Sequence, residues 1–161
     1  MDAYRWLVYL HIAAGSVALL TFWIAAIARK GSALHVRVGQ VYLGAMLGVV
    51  LSALPMAAVF FARGKPGIGT FLLYLVVLTG TSIWLARRAI RRKRDLPGYH
   101  DRRYRLVGGA NLIAGVASLA VGLKLGSTLL GGFSFVGIAI GIGMLRQARK
   151  LQSRLAESYR I

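Results

Sequence analysis

Long apolar runs separated by clusters of basic residues are the feature that most limits how this chain can fold. Runs of about 20 apolar residues match the ~30 Å hydrocarbon core of a bilayer at a helical rise of ~1.5 Å per residue. Because that layer contains no water, each run must be helical to satisfy its own backbone hydrogen bonds. We therefore predict an all-α, polytopic transmembrane bundle, one integral membrane domain over residues 1–161, with spans at about 4–28, 33–61, 68–88, 106–122 and 130–145.

The region from 106 to 145 is too long for one span, so we expect a tight reversal inside it. Residues 124–127, followed by Gly131 and Gly132, supply the polar and glycine residues that such a turn requires. The span after this reversal is short and rich in glycine. In the tail 146–161, apolar residues recur at helical spacing among basic residues, which predicts an amphipathic extension at the membrane surface.

The positive charge of the chain is unevenly distributed among its connections. The chain has 21 lysine and arginine residues, four acidic residues and a formal charge of +17. Seventeen of the basic residues fall in the turn after the first span, in the linker 87–105 and in the tail, and four fall in the opposite connections. The positive-inside rule then predicts a multi-pass protein of the inner (plasma) membrane, with the N-terminus outside and the C-terminus in the cytoplasm.

This basic excess limits the expected partners. Besides the lipid bilayer itself, we expect anionic lipids at the cytoplasmic face, since each basic residue near the surface contributes about 1 kcal/mol of attraction. Nucleic-acid binding is not expected, because the sequence contains no folded basic module with base-reading residues.

The residue types present exclude several kinds of chemistry. The chain has no cysteine, which excludes disulfides, iron–sulfur clusters, thiolate zinc sites and covalently attached c-type haem. Its four acidic residues all lie outside the predicted spans, so carboxylate-pair hydrolysis and acidic proton relays lack their residues. We expect neither a catalytic centre nor a metal site, and the sequence leaves open whether the chain is an enzyme.

Two G-x-x-x-G motifs predict close contacts between helices. One lies in the second span, at Gly44 and Gly48, and the other in the fifth, at Gly137 and Gly141. Small residues at this spacing let helix backbones approach each other. An oligomer formed through these faces is therefore one expectation.

The chain also carries a weak internal repeat. A shift of 65 residues aligns the first two spans with the next two without a gap, and places His35 and Arg37 on His100 and Arg102. Leucine and alanine matches are expected from apolar composition alone, but a His-x-Arg pair at the same point of each hairpin is more specific. A duplication would give two copies of one orientation, related by an axis along the membrane normal.

The residues around the first basic turn form a recognisable pattern: His11-x-x-x-Gly15, Arg29–Lys30–Gly31, Leu34–His35, Gly39 and Tyr42. This pattern resembles the bacterial membrane-protein family catalogued as domain of unknown function 2306. The resemblance implies a small multi-span architecture, and it implies no activity, because the family has none established. That family usually has a basic residue directly after the histidine, where this chain has Val36 and then Arg37. At the level of fold, the chain also looks distantly like the histidine-bearing four-helix cytochrome b proteins.

The histidines are the strongest candidate cofactor ligands. Neutral imidazole is the usual ligand of b-type haem, and bis-histidine ligation requires two such residues at one depth on facing helices. His35 and His100 both lie at the cytoplasmic start of a predicted span, so we hypothesise that they bind haem b, with Arg37 and Arg102 pairing with its propionates. The alternative is that both histidines contact lipid headgroups or cap helices.

His11 lies too far from the other two histidines to share their site, since helical rise places it about 25 Å from His35. Met56 on the second span lies at a similar depth, which permits a His/Met haem site. The simpler expectation is that His11 forms a hydrogen bond with a neighbouring helix.

Three functions are therefore open at the level of sequence. The first is a b-type haem protein that passes single electrons from a cytoplasmic donor to a membrane acceptor. The second is a non-enzymatic scaffold whose basic face binds anionic lipids or a partner. The third is a small-solute transporter, which the few polar residues within the spans support least.

Overall fold

The computed structural model describes residues 2–91 and 100–158 of the chain. These residues form five α-helices and no strand: α1 (Asp2–Ile27), α2 (Ala33–Ala62), α3 (Pro66–Arg91), α4 (Arg102–Lys124) and α5 (Thr128–Ser158). By length and composition, all five can cross a bilayer, the last of them over Thr128–Leu151. The predicted all-α, five-span membrane fold is confirmed.

The helices extend beyond the predicted spans where local chemistry allows it. α3 begins at Pro66, two residues early, because the fixed φ of proline and its missing N–H suit the first helical position. α3 continues past the predicted span into the basic linker as far as Arg91. The predicted short fifth span is the first part of one 31-residue helix, so the tail continues it without a break as far as Ser158.

The turns between close helices depend on capping and on glycine. Ser32 is the N-cap of α2, and its side chain accepts a hydrogen bond from the backbone N–H of His35 at 3.2 Å. The predicted reversal lies between α4 and α5, where Gly126 has φ +62°, a conformation that costs glycine little. Gly131 and Gly132, which follow this reversal in the sequence, lie inside α5, as the predicted span 130–145 requires.

The chain folds as two compact units, the first of which covers residues 1–83. In this unit α1 packs along α2. A Cβ atom at Gly48 would lie 3.4 Å from the Cβ of Ala14, so this glycine makes the predicted helix contact. Gly44, one turn away, has open space around its Cβ position. Near the other end of the same pair, the guanidinium of Arg63 lies over the ring of Tyr4, 4.5 Å from its centroid.

The second unit covers residues 84–161, and in it α4 packs along α5 through glycines. A Cβ at Gly115 would lie 2.8 Å from the backbone nitrogen of Ile138, and one at Gly122 would lie 2.8 Å from that of Gly131. From the other side, a Cβ at Gly141 would lie 2.7 Å from the carbonyl oxygen of Gly108. The two backbones are therefore in direct contact along the pair.

This contact uses the second G-x-x-x-G motif within the chain. Gly137 and Gly141 are both buried, and Gly141 contacts α4 directly. The predicted close contact at this motif is therefore made between two helices of one chain. An oligomer formed through the faces of Gly44 and Gly48 or of Gly137 and Gly141 stays a prediction.

Candidate functional site

His35 lies in the first turn of α2 and is half-buried against the end of α1. Its Nδ1 atom is 3.0 Å from the carbonyl oxygen of Ala25. Ala25 is one of the last four residues of α1, whose carbonyls have no partner within their own helix. A carbonyl oxygen can only accept a hydrogen bond, so Nδ1 is the donor here. The other ring nitrogen, Nε2, is not used in this contact. The helix-capping role offered as the alternative is thus observed for His35.

His100 lies in the second unit and has a different environment. It precedes α4, and its ring packs edge-on against Tyr104 with 4.8 Å between the ring centroids. The N-cap of α4 is Asp101, whose carboxylate accepts a hydrogen bond from the backbone N–H of Tyr104 at 3.0 Å. The hydrogen bond to Asp101 therefore holds the backbone of Tyr104, the residue whose ring contacts His100.

The two histidines do not occupy equivalent positions in their helices. His35 is the third residue of α2, whereas His100 precedes α4 by two residues, because α4 begins only after the Asp101 cap. The 65-residue shift also aligns α1 and α2 with α3 and α4. Both histidines therefore lie near the start of a helix, though not at the same register, and their shared site and the duplication stay predictions.

The other predicted haem residues are not brought together within either unit. Arg37 is exposed on α2 in the first unit, and Arg102 is exposed at the start of α4 in the second. Because His35 and His100 also belong to different units, a haem that both of them bind stays a prediction. Met56 is half-buried on α2, in the same unit as His11. A haem site formed by His11 and Met56 also stays a prediction.

His11 forms the predicted hydrogen bond between helices. Its Nδ1 atom lies 2.8 Å from the hydroxyl oxygen of Ser52 on α2. The same hydroxyl lies 2.8 Å from the carbonyl oxygen of Gly48 and 3.0 Å from that of Val49. The sequence-based interpretation of His11 as an interhelical contact is confirmed.

A buried ion pair, which sequence reasoning missed, joins the end of α3 to the start of α4. The Nη2 atom of Arg88 lies 2.8 Å from a carboxylate oxygen of Asp101, and the Arg88 side chain is only 9% exposed. The guanidinium also lies over the ring of Trp84, 4.7 Å from its centroid. One signal could have revealed the cap, since Asp101 is an acidic residue just before an apolar run in a basic linker.

Asp101 is ionised more readily than an ordinary aspartate. Burial raises the pKa of its carboxyl. Three opposing effects together lower this pKa by more than burial raises it: the hydrogen bond from Arg88, the backbone N–H groups of Tyr104 and Arg103, and the positive charge of Arg88. The net effect holds the pKa below its usual value.

Tyr104 connects this cap to the last helix. Its hydroxyl donates a hydrogen bond to the Oε1 atom of Gln147 at 2.9 Å, and its ring is buried in a cluster with Met144 and Ala148. The start of α4 is thus fixed both to the end of α3 and to α5.

The outer surface of α4 carries an open groove, which we call the α4 groove. Its volume is about 570 Å³, and its lining combines two arginines with small and aliphatic residues: Arg102, Arg105, Leu106, Gly109, Ala110 and Ile113. A Cβ at Gly109 would meet nothing within 4 Å, so the missing side chain leaves the floor of the groove open.

A second groove, which we call the α5 groove, lies on the first turns of α5. Its volume is about 440 Å³, and the described residues that line it are all uncharged: Thr128, Leu129, Gly132, Phe133 and Val136. Like Gly109, Gly132 has open space at its Cβ position. The two grooves therefore differ mainly in charge.

Comparison with family models, with curated proteins and with solved structures finds no match for this chain. The resemblances to domain of unknown function 2306 and to the cytochrome b proteins therefore stay predictions. Within the described part of the chain, no group of three or more histidine, aspartate or glutamate side chains could hold a metal ion.

Proposed function

We propose that this is a non-enzymatic inner-membrane protein, with its N-terminus outside, that binds anionic phospholipids in the α4 groove. The observation that supports this proposal is the position of Arg102 and Arg105 at one end of an apolar groove. Guanidinium groups form strong, charge-assisted hydrogen bonds with phosphate. The apolar floor suits an acyl chain of the same lipid.

The length of the groove fits one leaflet of a bilayer. From Arg102 to Ile113 the helix rises about 16 Å, at 1.5 Å per residue. Half of a hydrocarbon core is about 15 Å thick. With the arginines at the cytoplasmic headgroup level, an acyl chain in the groove would extend to the middle of the bilayer.

The nearby acidic residue does not neutralise these arginines. Asp101 is paired with Arg88, which is buried, whereas Arg102, Arg103 and Arg105 are exposed. The ion pair therefore leaves the positive charge at the start of α4 available to an anionic headgroup.

The proposal can be tested by native mass spectrometry of the protein in mild detergent, with phosphatidylglycerol or phosphatidylcholine added in turn. We expect bound phosphatidylglycerol on the wild-type protein and at least a fivefold lower bound fraction on the double variant Arg102→Gln/Arg105→Gln. The matched control is Arg103→Gln/Arg149→Gln, which removes the same charge from two exposed residues that do not line the groove.

A second pair of variants tests the apolar part of the groove. Gly109→Leu fills the α4 groove, and Gly132→Leu makes the same change in the α5 groove. We expect only the first to reduce phosphatidylglycerol binding. If the two double arginine variants lost phosphatidylglycerol binding equally, the binding would be a general attraction to a basic surface. That result, or equal binding of both lipids by the wild-type protein, would overturn the assigned site.

Electron transfer through haem b is a second candidate function, favoured by one observation at His35. Its Nδ1 donates to the carbonyl of Ala25, and haem- and metal-ligating histidines are commonly held in this way with Nε2 directed to the ligand. His100 is the second proposed ligand, and Arg37 and Arg102 are the proposed partners of the propionates.

A reduced-minus-oxidised absorption spectrum tests the haem proposal. The protein is expressed with haem supplied and purified in mild detergent, beside His35→Ala and His100→Ala variants. The proposal expects Soret and α bands that weaken in each variant. A wild-type protein without these bands ends the proposal, and bands that persist in both variants overturn the ligand assignment.

A further inference from the structure

The first unit contains a cavity that neither proposed function uses. Its volume is about 100 Å³, and its lining includes His11 of α1, Val50 and Ala53 of α2, and Val76 and Thr79 of α3, together with three further aliphatic residues. All three helices are candidate membrane spans. Among the described residues that line this cavity, most are apolar, and His11 and Thr79 supply the polar side chains.

The hydrogen bonds of Ser52 determine what His11 offers to a ligand. A serine hydroxyl has one proton, and here it lies within 3.0 Å of two carbonyl oxygens of its own helix, those of Gly48 and Val49. The hydroxyl therefore donates to its helix and accepts from Nδ1 of His11. In that tautomer Nε2 carries no proton, so His11 offers a hydrogen-bond acceptor.

The size and lining of the cavity restrict the ligand. An apolar cavity of about 150 Å³ binds benzene, so one of this volume accommodates a single six-membered ring at most. A charged ligand is disfavoured inside a span. An acceptor in an apolar cavity instead favours a ligand with one hydroxyl donor, because a buried polar group without a partner is costly.

We infer that this cavity binds the hydroxyl-bearing ring of an uncharged, lipid-soluble phenol, which enters from the bilayer and donates to Nε2 of His11. Thr79, on the third helix, supplies the other polar contact of the ring. Ser52 is a positioning residue, because it acts on the ligand only through the tautomer of His11.

The test compares 4-fluorophenol with fluorobenzene by fluorine NMR on the purified full-length protein, with empty detergent micelles subtracted. The two probes have the same ring and differ in the hydroxyl. We expect the wild-type protein to bind 4-fluorophenol roughly three- to tenfold more tightly, the ratio that one net hydrogen bond provides. In His11→Phe, which keeps a ring but removes the acceptor, the two affinities should become equal.

Filling the cavity should abolish the binding of both probes. Val50→Phe and Thr79→Leu place additional atoms in the cavity from two different helices, so one variant carries the test if the other does not fold by circular dichroism. The matched control is Val41→Phe, on the exposed surface of α2, which should bind both probes like the wild type. No binding by the wild type, an unchanged affinity ratio in His11→Phe, or unchanged binding in a folded filled variant would each overturn the inference.

Discussion

Asp101 makes two contacts that fix the start of α4. It caps α4 through the N–H of Tyr104 and pairs with the buried guanidinium of Arg88. Both contacts require the ionised carboxylate for full strength, which is why the pKa of Asp101 lies below its usual value. The start of α4 is therefore sensitive to the charge of one side chain.

Asp101→Asn should lower the stability of the second unit. Asparagine can still cap the helix, but it leaves the buried Arg88 without its anionic partner, and we expect a loss of roughly 1 kcal/mol, since Asp101 is partly exposed. Thermal unfolding in detergent, followed by tryptophan fluorescence, measures the change. Asp101→Ala, which removes the cap as well, should cost more. A variant as stable as the wild type would show that the ion pair contributes nothing.

The same carboxylate should give a pH dependence in the acid range. Its pKa is lower in the folded protein than in the unfolded chain, so its stabilisation is fully present above the unfolded value of about 3.9 and is lost as pH falls through the folded value. The wild-type protein should therefore lose its stability advantage over Asp101→Asn below about pH 4. If the difference in unfolding temperature between the two proteins is the same at pH 3 and pH 6, this assignment is wrong.

At the scale of secondary structure, the contact between α4 and α5 is the most specific feature. Gly108, Gly115 and Gly122 recur every seven residues on α4. Atoms of α5 occupy the space where their side chains would lie: the Cβ of Met144 at Gly108, and backbone nitrogens at Gly115 and Gly122. A spacing of seven keeps one face of a helix on its partner. This pattern is visible in the sequence and could have predicted the contact, whereas the G-x-x-x-G motif at Gly137 indicates only part of it.

Gly115→Ala and Gly141→Ala should separate α4 from α5. In each case the new methyl group would lie within 3 Å of backbone atoms, which cannot move without moving a helix, and we expect a loss of about 1–3 kcal/mol. Unfolding by sodium dodecyl sulfate, followed by circular dichroism, measures it. Gly109→Ala and Gly143→Ala are the controls, because their Cβ positions are open and alanine favours a helix. Equal effects in both pairs would contradict the tight contact.

At the scale of the whole molecule, the distribution of charge predicts the orientation in the membrane. The chain has no cysteine, so single cysteines can be introduced without altering a native one. Lys65→Cys should react with a membrane-impermeant maleimide from outside intact cells, and Lys30→Cys and Arg149→Cys only in inside-out vesicles. All three positions are exposed. Labelling of position 65 from the cytoplasmic side alone would reverse the topology.

The sequence by itself determined the helical membrane class and the five spans, because a bilayer imposes length and internal hydrogen bonding on each segment separately. Local signals also predicted the reversal near Gly126. Only the tertiary structure decided the partners of His11 and Asp101 and the contact face of α4. A spanning helix is apolar on almost every side, so its hydrophobic pattern does not distinguish the face that packs on protein from the face that meets lipid.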